Sequence, residues 1–168
     1  MAAVSLIVME HGSEWPGHVG NTGDVVAMSC GSEELVQRTR QGLAALRRRG
    51  QQVRIAVLAC SDVMDASART RRVEVLAELL AAVNAARFGR VVLSTDERAS
   101  ANLRSELLSL AEALRPRLQG TSATVSVRFG PPAEESARLS HGSVRKCLVT
   151  PPGHDLRAVR YPQRAAKR

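Results

Sequence analysis

Aromatic side chains are nearly absent from this chain: they make up 2% of it, as Trp15, Phe88, Phe129 and Tyr161. Its core must therefore be filled by Leu, Val, Ile and Ala, and stacking on the bases of a single strand is not expected to be a major mode of binding. Lysine is scarcer still, with only Lys146 and Lys167. Nearly all the positive charge is arginine. Cysteine occurs three times, as Cys30, Cys60 and Cys147. An odd, sparse set makes no disulfide framework, and neither CxxC nor Cys/His spacing suggests zinc. The histidines His11, His18, His141 and His154 show neither HxH nor HExxH spacing. No apolar run approaches the roughly 20 residues that span a bilayer. The run Val4–Met9 lacks a preceding positive region and meets Glu10, so it does not read as a signal peptide. These absences together lead us to expect a cytoplasmic protein without a membrane span.

Phosphate-binding motifs are missing too. There is no GxxxxGK[ST] and no GxGxxG after a strand pattern, and no motif names a cofactor. A GxSxG elbow is likewise absent, and the spacing from Cys30 to Arg38 is too long for a Cys-x5-Arg phosphatase loop.

What the chain does have is alternation. At 168 residues it is long enough for one domain with a real core. Short Val- and Ile-rich runs at Val4–Glu10, Asp24–Ser29, Val53–Cys60, Arg90–Thr95 and Ala123–Phe129 read as strands, with a weaker sixth at Lys146–Thr150. Helical spacing fills 32–49 (Leu35, Val36, Leu43, Leu46), 70–87 (Val73, Leu76, Leu79, Leu80, Val83) and 99–118 (Leu103, Leu107, Leu110, Leu114, Leu118). Gly50, Gly89 and Gly120 each follow a helical stretch, where a left-handed cap is wanted. Glu33 and Glu34 are expected in the first turn of their helix.

The expected fold is a single α/β domain over 1–150: a three-layer α/β/α, Rossmann-like arrangement with a largely parallel sheet of five or six strands. Val53–Cys60 is apolar on both faces (Val53, Ile55 and Val57 against Ala56 and Leu58) and should be central. Ala123–Phe129 alternates and should be an edge. The Gly-rich stretch 11–23 carries no helix pattern, so the first two strands are open to either an antiparallel hairpin or a parallel pairing. Residues 151–168 read as a basic, flexible tail. After Asp155 it carries five cations and no acid, out of a net charge of +8 for the chain.

In open parallel sheets, ligands bind outside the carboxyl ends of the strands. Those ends here offer Glu10, His11, Ser13, Gly31, Ser32, Ser61, Asp62 and Thr95 as candidate ligand-binding residues. The expected ligand is small and anionic or nucleotide-like. Polar residues at such ends are also common helix caps. Cys30 is a candidate nucleophile, because a helix expected to begin near Ser32 would lower its thiol pKa. A buried, inert cysteine is the plainer alternative.

A second reading gathers Glu10, Glu74 and Asp96 around a divalent metal, with Asp96 in a catalytic role. The stretch Val73-Glu74-Val75 to Val92-Leu93-Ser94-Thr95-Asp96 resembles part of the ribonuclease H pattern, in which a helical Glu precedes a strand ending in Asp. The resemblance covers about 25 residues. It implies metal-dependent cleavage of nucleic acid. The chain departs from the pattern in two ways: its first acid is Glu rather than Asp, and a helical stretch at 32–49 interrupts the three antiparallel strands that the family places before the Glu-bearing helix. A third reading is an assembly or regulatory subunit, a homo-oligomer among the options, using the half-exposed strand 123–129. In any of these readings the basic tail could add nonspecific affinity for nucleic acid.

Overall fold

The computed structural model describes residues 2–13, 24–62 and 67–130, and the backbone of 158–160. Its elements run β1 (Ala2–Glu10), β2 (Asp24–Cys30), α1 (Leu35–Arg48), β3 (Gln51–Ala59), α2 (Ala68–Asn84), β4 (Arg90–Thr95), α3 (Ala101–Leu118), β5 (Thr124–Phe129) and β6 (Ala158–Arg160). The sheet order is β5-β4-β3-β1-β2-β6. β1 to β5 are all parallel, and β6 pairs antiparallel with β2. The described residues therefore form an α/β fold built on a five-stranded parallel sheet with three helices.

The hairpin option for the first two strands is corrected. β1 and β2 pair in parallel, from Val4 opposite Asp24 to Glu10 opposite Cys30. A parallel return needs a connection of a dozen or more residues, and 11–23 supplies that length. This also removes the antiparallel opening that the ribonuclease H pattern requires.

The connections β2→β3, β3→β4 and β4→β5 all step the same way across the sheet. Crossovers of one hand must then place their helices on one face. The burial agrees: one apolar cluster joins Val4, Leu6 and Val8 of β1 to residues of all three helices, among them Leu46, Leu79 and Leu107. On the other face Ile7, Met9, Val25, Ala27, Val57, Ala59 and Val92 form a second buried cluster, drawn among the described residues from strands alone. Among the described residues no helix covers that face, so the second helical layer expected of an α/β/α arrangement is not seen among them; the weak strand pattern at Lys146–Thr150 lies outside the described residues.

β3 is central and β5 lies at an edge, as their apolar patterns suggest. One detail of β3 differs. Val53 pairs with Val4 and Ile55 with Ser5, so Arg54 is an extra, bulged residue. The bulge moves Val53 to the helix face with Ala56 and Leu58, leaving Ile55 and Val57 on the other.

The helix boundaries also carry corrections. α1 starts at Leu35, so Glu33 and Glu34 precede it rather than fill its first turn. Gly50 (φ +67°) and Gly120 (φ +79°) are left-handed as expected, but Gly89 is not. There Phe88 takes the positive φ, at 59°. Gly89 is required for a different reason: a Cβ on it would lie 2.2 Å from the Val83 carbonyl oxygen. On α2 the inward stripe holds Arg72, Val75, Leu76, Leu79, Leu80 and Val83, whereas Val73 is exposed.

Candidate functional site at the carboxyl ends of β1, β2 and β3

The lateral direction of the chain reverses between β1→β2 and β2→β3. Written by strand number, the order is 2-1-3-4-5, the order of flavodoxin-like sheets, whose crevice opens between β1 and β3. Three turns meet at that point: 10–13, 31–34 and 60–62.

Side chains alternate along β1, so Glu10 shares the helix-covered face with Val8. It is 3% exposed. Arg72, near the start of α2, reaches it and is 2% exposed. Arg72 Nε donates to Glu10 Oε2 at 2.8 Å and Nη2 donates to Oε1 at 2.7 Å. Nη2 also donates to the Ser61 carbonyl oxygen (2.8 Å), while Ser61 N donates to Glu10 Oε1 (3.0 Å). Nη1 donates to Glu106 Oε2 of α3 at 2.8 Å. One guanidinium thus joins β1, the end of β3, α2 and α3. Despite its burial, the pairing with Glu10 holds Arg72 charged and pushes its pKa further up.

Glu10 is therefore the floor of the crevice, with both carboxylate oxygens engaged. Glu74 stands exposed on α2. Asp96 Oδ1 accepts from the Arg98 amide at 2.6 Å. Among the described residues no group of three or more His, Cys, Asp or Glu side chains is placed to hold a metal ion. The carboxylate set Glu10, Glu74 and Asp96 is not assembled as a site.

Cys30 follows the same alternation and is 1% exposed on the helix face, beside Glu10 in register. Burial pushes its thiol up to about 11; Arg38 opposes the shift, and Glu34 and Glu10 add to it. Because α1 starts at Leu35, three residues after Ser32, the turn 31–34 separates Cys30 from the helix amides. Cys30 thus lacks the helix-amide contact that would lower its thiol pKa. Cys60, across β1, is likewise pushed up by burial.

The remaining candidates form the rim. Ser13 closes the turn after β1, its hydroxyl donating to the Glu10 carbonyl oxygen at 2.6 Å. Ser61 Oγ donates to the His11 carbonyl oxygen at 2.8 Å, tying the β1 and β3 turns together. Thr95 is buried and donates to the Cys60 carbonyl oxygen at 3.0 Å, which makes it part of the scaffold. The exposed His11 ring lies over the β2 turn, where a Cβ on Gly31 would be 3.7 Å from its Nδ1. Ser32 Oγ accepts from Arg71 Nη1. Asp62, also exposed, accepts from the Ser100 amide (2.9 Å) and hydroxyl (2.5 Å). Ser100 in turn caps α3 by accepting from the Leu103 amide. Those two bonds hold the Asp62 carboxyl below its ordinary value.

His11, Gly12, Ser13, Gly31, Ser32 and Asp62 therefore share one rim, with Glu10, Cys30, Ser61 and Thr95 beneath or behind it. Arg71, Arg72, Ser100 and Glu106 complete the arrangement and are absent from the sequence-derived candidates. For Arg72 there is a legible signal: it stands four residues before Leu76 and seven before Leu79, on the apolar stripe. Comparison of the chain with family models, with curated proteins and with solved structures finds no match in any of the three.

Proposed function

We propose that the protein binds a small anionic or nucleotide-like ligand at the carboxyl ends of β1 and β3. The observation that carries this reading is the strand order, which sets a topological switch point where sheets of this kind bind ligands. The rim chemistry supports it. His11 and Arg71 offer positive or hydrogen-donating groups, the Ser13 and Ser32 hydroxyls lie beside them, and Gly12 and Gly31 let a ligand approach the backbone. Asp62 suits a hydroxyl donor such as a ribose. The buried, protonated thiol of Cys30 favours binding over nucleophilic catalysis. Among the described residues no helix is long and apolar enough to cross a membrane. A cytoplasmic location is part of this proposal, in keeping with the free thiols of Cys30 and Cys60.

A thermal-shift screen with nucleotides and phosphorylated metabolites tests it. A ligand at about 100 times its dissociation constant stabilises by roughly 2.7 kcal/mol, which is about 5–10 °C for a domain of this size. The shift should survive raised salt and shrink in Arg71→Ala and His11→Ala. No shift from any of these compounds, or a shift untouched by both substitutions, would overturn the reading.

An assembly role is favoured by one observation. β5 ends the sheet among the described residues, and its Val125 and Val127 are only partly buried. A concentration-dependent dimer in sedimentation, abolished by Val127→Lys, would support that role; a monomer at all concentrations would remove it.

A further inference from the structure

In a parallel sheet the crossover helices run against the strands, so their carboxyl ends gather at the amino ends of the strands. Here those helix ends carry Arg47 and Arg48 in the last turn of α1 and Arg49 at its cap, Arg87 after α2, and Arg115 and Arg117 in α3. Two strand residues add to them: Arg54 at the β3 bulge, and Arg90 at the start of β4. The acids at this end are Asp24 and Glu112, and Glu112 pairs with Arg115 at 3.1 Å. The rest of the residues with described side chains are balanced, with eight arginines against nine acids. Among the described side chains the positive excess thus lies at the amino ends of the strands, opposite the crevice.

Helix dipoles alone do not account for this. Each helix carboxyl end carries about half a negative charge. Three such ends offset only about 1.5 charges, and Arg54 and Arg90 are not on helices. Neighbouring helices pack about 10 Å apart, so the three ends span about 20 Å, enough for several backbone phosphates.

Phe88 stands on the same face. It is 63% exposed, the most exposed large apolar side chain among the described residues. Its backbone is left-handed, a conformation that Gly or Asn adopts at lower cost. Its amide donates to Ser122 Oγ at 3.2 Å, fixing the turn, and the Arg87 guanidinium lies 5.5 Å from the ring centroid. Aromatics are too few for a row of stacked bases, but one solvent-facing ring with a cation beside it, set among arginines, is a pairing that holds a single base while the arginines take the backbone.

We propose that this amino-end face binds single-stranded nucleic acid, with backbone phosphates on the arginines and one base stacked on Phe88. The site is separate from the crevice and does not depend on the ligand proposed there.

The test is fluorescence anisotropy of the full chain with a labelled 20-nucleotide oligothymidylate, a 20-base-pair duplex and phosphatidylserine vesicles, across 50–200 mM salt. The single strand should bind most tightly, and log affinity should fall with log salt at about −0.7 per phosphate engaged. Phe88→Ala should weaken single-strand binding about fivefold to tenfold or more and leave duplex binding nearly unchanged. Arg47→Glu/Arg48→Glu/Arg49→Glu should weaken it at least tenfold. The pair Arg115→Glu/Arg117→Glu, on a different helix, should do likewise, and it keeps the test valid if the triple variant does not fold. Absence of salt-dependent oligonucleotide binding would overturn the proposal. So would preference for duplex or vesicles, or loss of binding only in the tail variant Arg164→Glu/Lys167→Glu/Arg168→Glu.

Discussion

Arg72 closes on Glu10 through two parallel hydrogen bonds of 2.8 and 2.7 Å, with both side chains almost completely buried. The remaining bonds of the guanidinium go to Ser61 and Glu106. This relationship decides what the switch point can do, because it converts its central carboxylate from a ligand-facing group into a fixed support. Removing one partner leaves a buried charge unpaired, which costs about 3–5 kcal/mol. Arg72→Met should therefore lower stability by that amount in urea denaturation. Arg72→Met combined with Glu10→Leu should recover a large part of it, since neither charge is then left buried. A loss below about 1 kcal/mol for the single variant would contradict the network.

Glu106 is the outer member, with its side chain 20% exposed. Water can reach the guanidinium there when the carboxylate is neutralised. Glu106→Gln should cost about 1 kcal/mol, clearly less than Arg72→Met. Equal losses for the two would mean that α3 contributes as much to the network as β1 does.

The alternation of strands and helices was readable because each local signal agreed with the fold: apolar runs of strand length, Leu stripes at helical spacing, and left-handed glycines at Gly50 and Gly120. The site was readable only as a place. Glu10, His11, Ser13, Ser61 and Asp62 do converge, since strand ends of a parallel sheet lie side by side. Their roles were not readable, because facing inward or outward depends on strand parity and on which helix residue comes opposite. Val73 reads as core, whereas Arg72, although it stands in step with Leu76 and Leu79, is not apolar and does not count toward the stripe. A one-residue rotation of α2 exchanges them, and only the buried carboxylate on β1 makes the arginine the better occupant. The bulge at Arg54 has no sequence signature of its own, so the parity of Val53 could not be foreseen. Pairing of β1 with β2 was undecidable for another reason: thirteen residues suffice for either a hairpin or a crossover.

Gly89 provides a backbone test. An added Cβ would meet the Val83 carbonyl oxygen at 2.2 Å, a helix atom that cannot easily move. Gly89→Ala should cost about 3 kcal/mol, at the upper end of overpacking penalties. Gly50→Ala should cost only about 1–2 kcal/mol, because its site is open and only the left-handed φ is at stake. Thermal or urea unfolding of the two variants gives the order directly; the reverse order would contradict the close approach of the β4 entry to α2.

Asp62 offers an acid-side test. The Ser100 hydroxyl and amide hold its carboxyl below the ordinary value of 3.8. Above that value the folded and unfolded chains both carry the charge, and the bonds to Ser100 stabilise the fold. As pH falls through the lowered folded value, the group takes up a proton and that contribution disappears. A titration of the Asp62 carboxyl carbon by NMR should therefore show a midpoint below 3.8, returning toward it in Ser100→Ala. The Ser100→Ala variant should also lose the cap on α3, worth about 1 kcal/mol at neutral pH.

The two buried thiols give the opposite dependence. In the unfolded chain Cys30 releases its proton near its ordinary value of 9.0, whereas in the folded chain burial holds the proton to about 11. Between those values the folded state binds more protons than the unfolded state, so stability falls as pH rises from about 9 to about 11 and is unaffected below that window. Cys60 shifts in the same direction and adds to the slope. Urea denaturation between pH 8 and 11 should show this decline, and it should be shallower in Cys30→Ala/Cys60→Ala even though that variant is less stable at neutral pH from the volume it loses. Thiol labelling checks the same burial kinetically. At pH 8 Cys30 and Cys60, followed separately from Cys147 by peptide mass spectrometry, should react with an alkylating reagent only as fast as the protein opens, and at full speed in denaturant. Rapid labelling of Cys30 in the folded protein would mean an accessible, ionisable thiol and would return it to the list of nucleophile candidates.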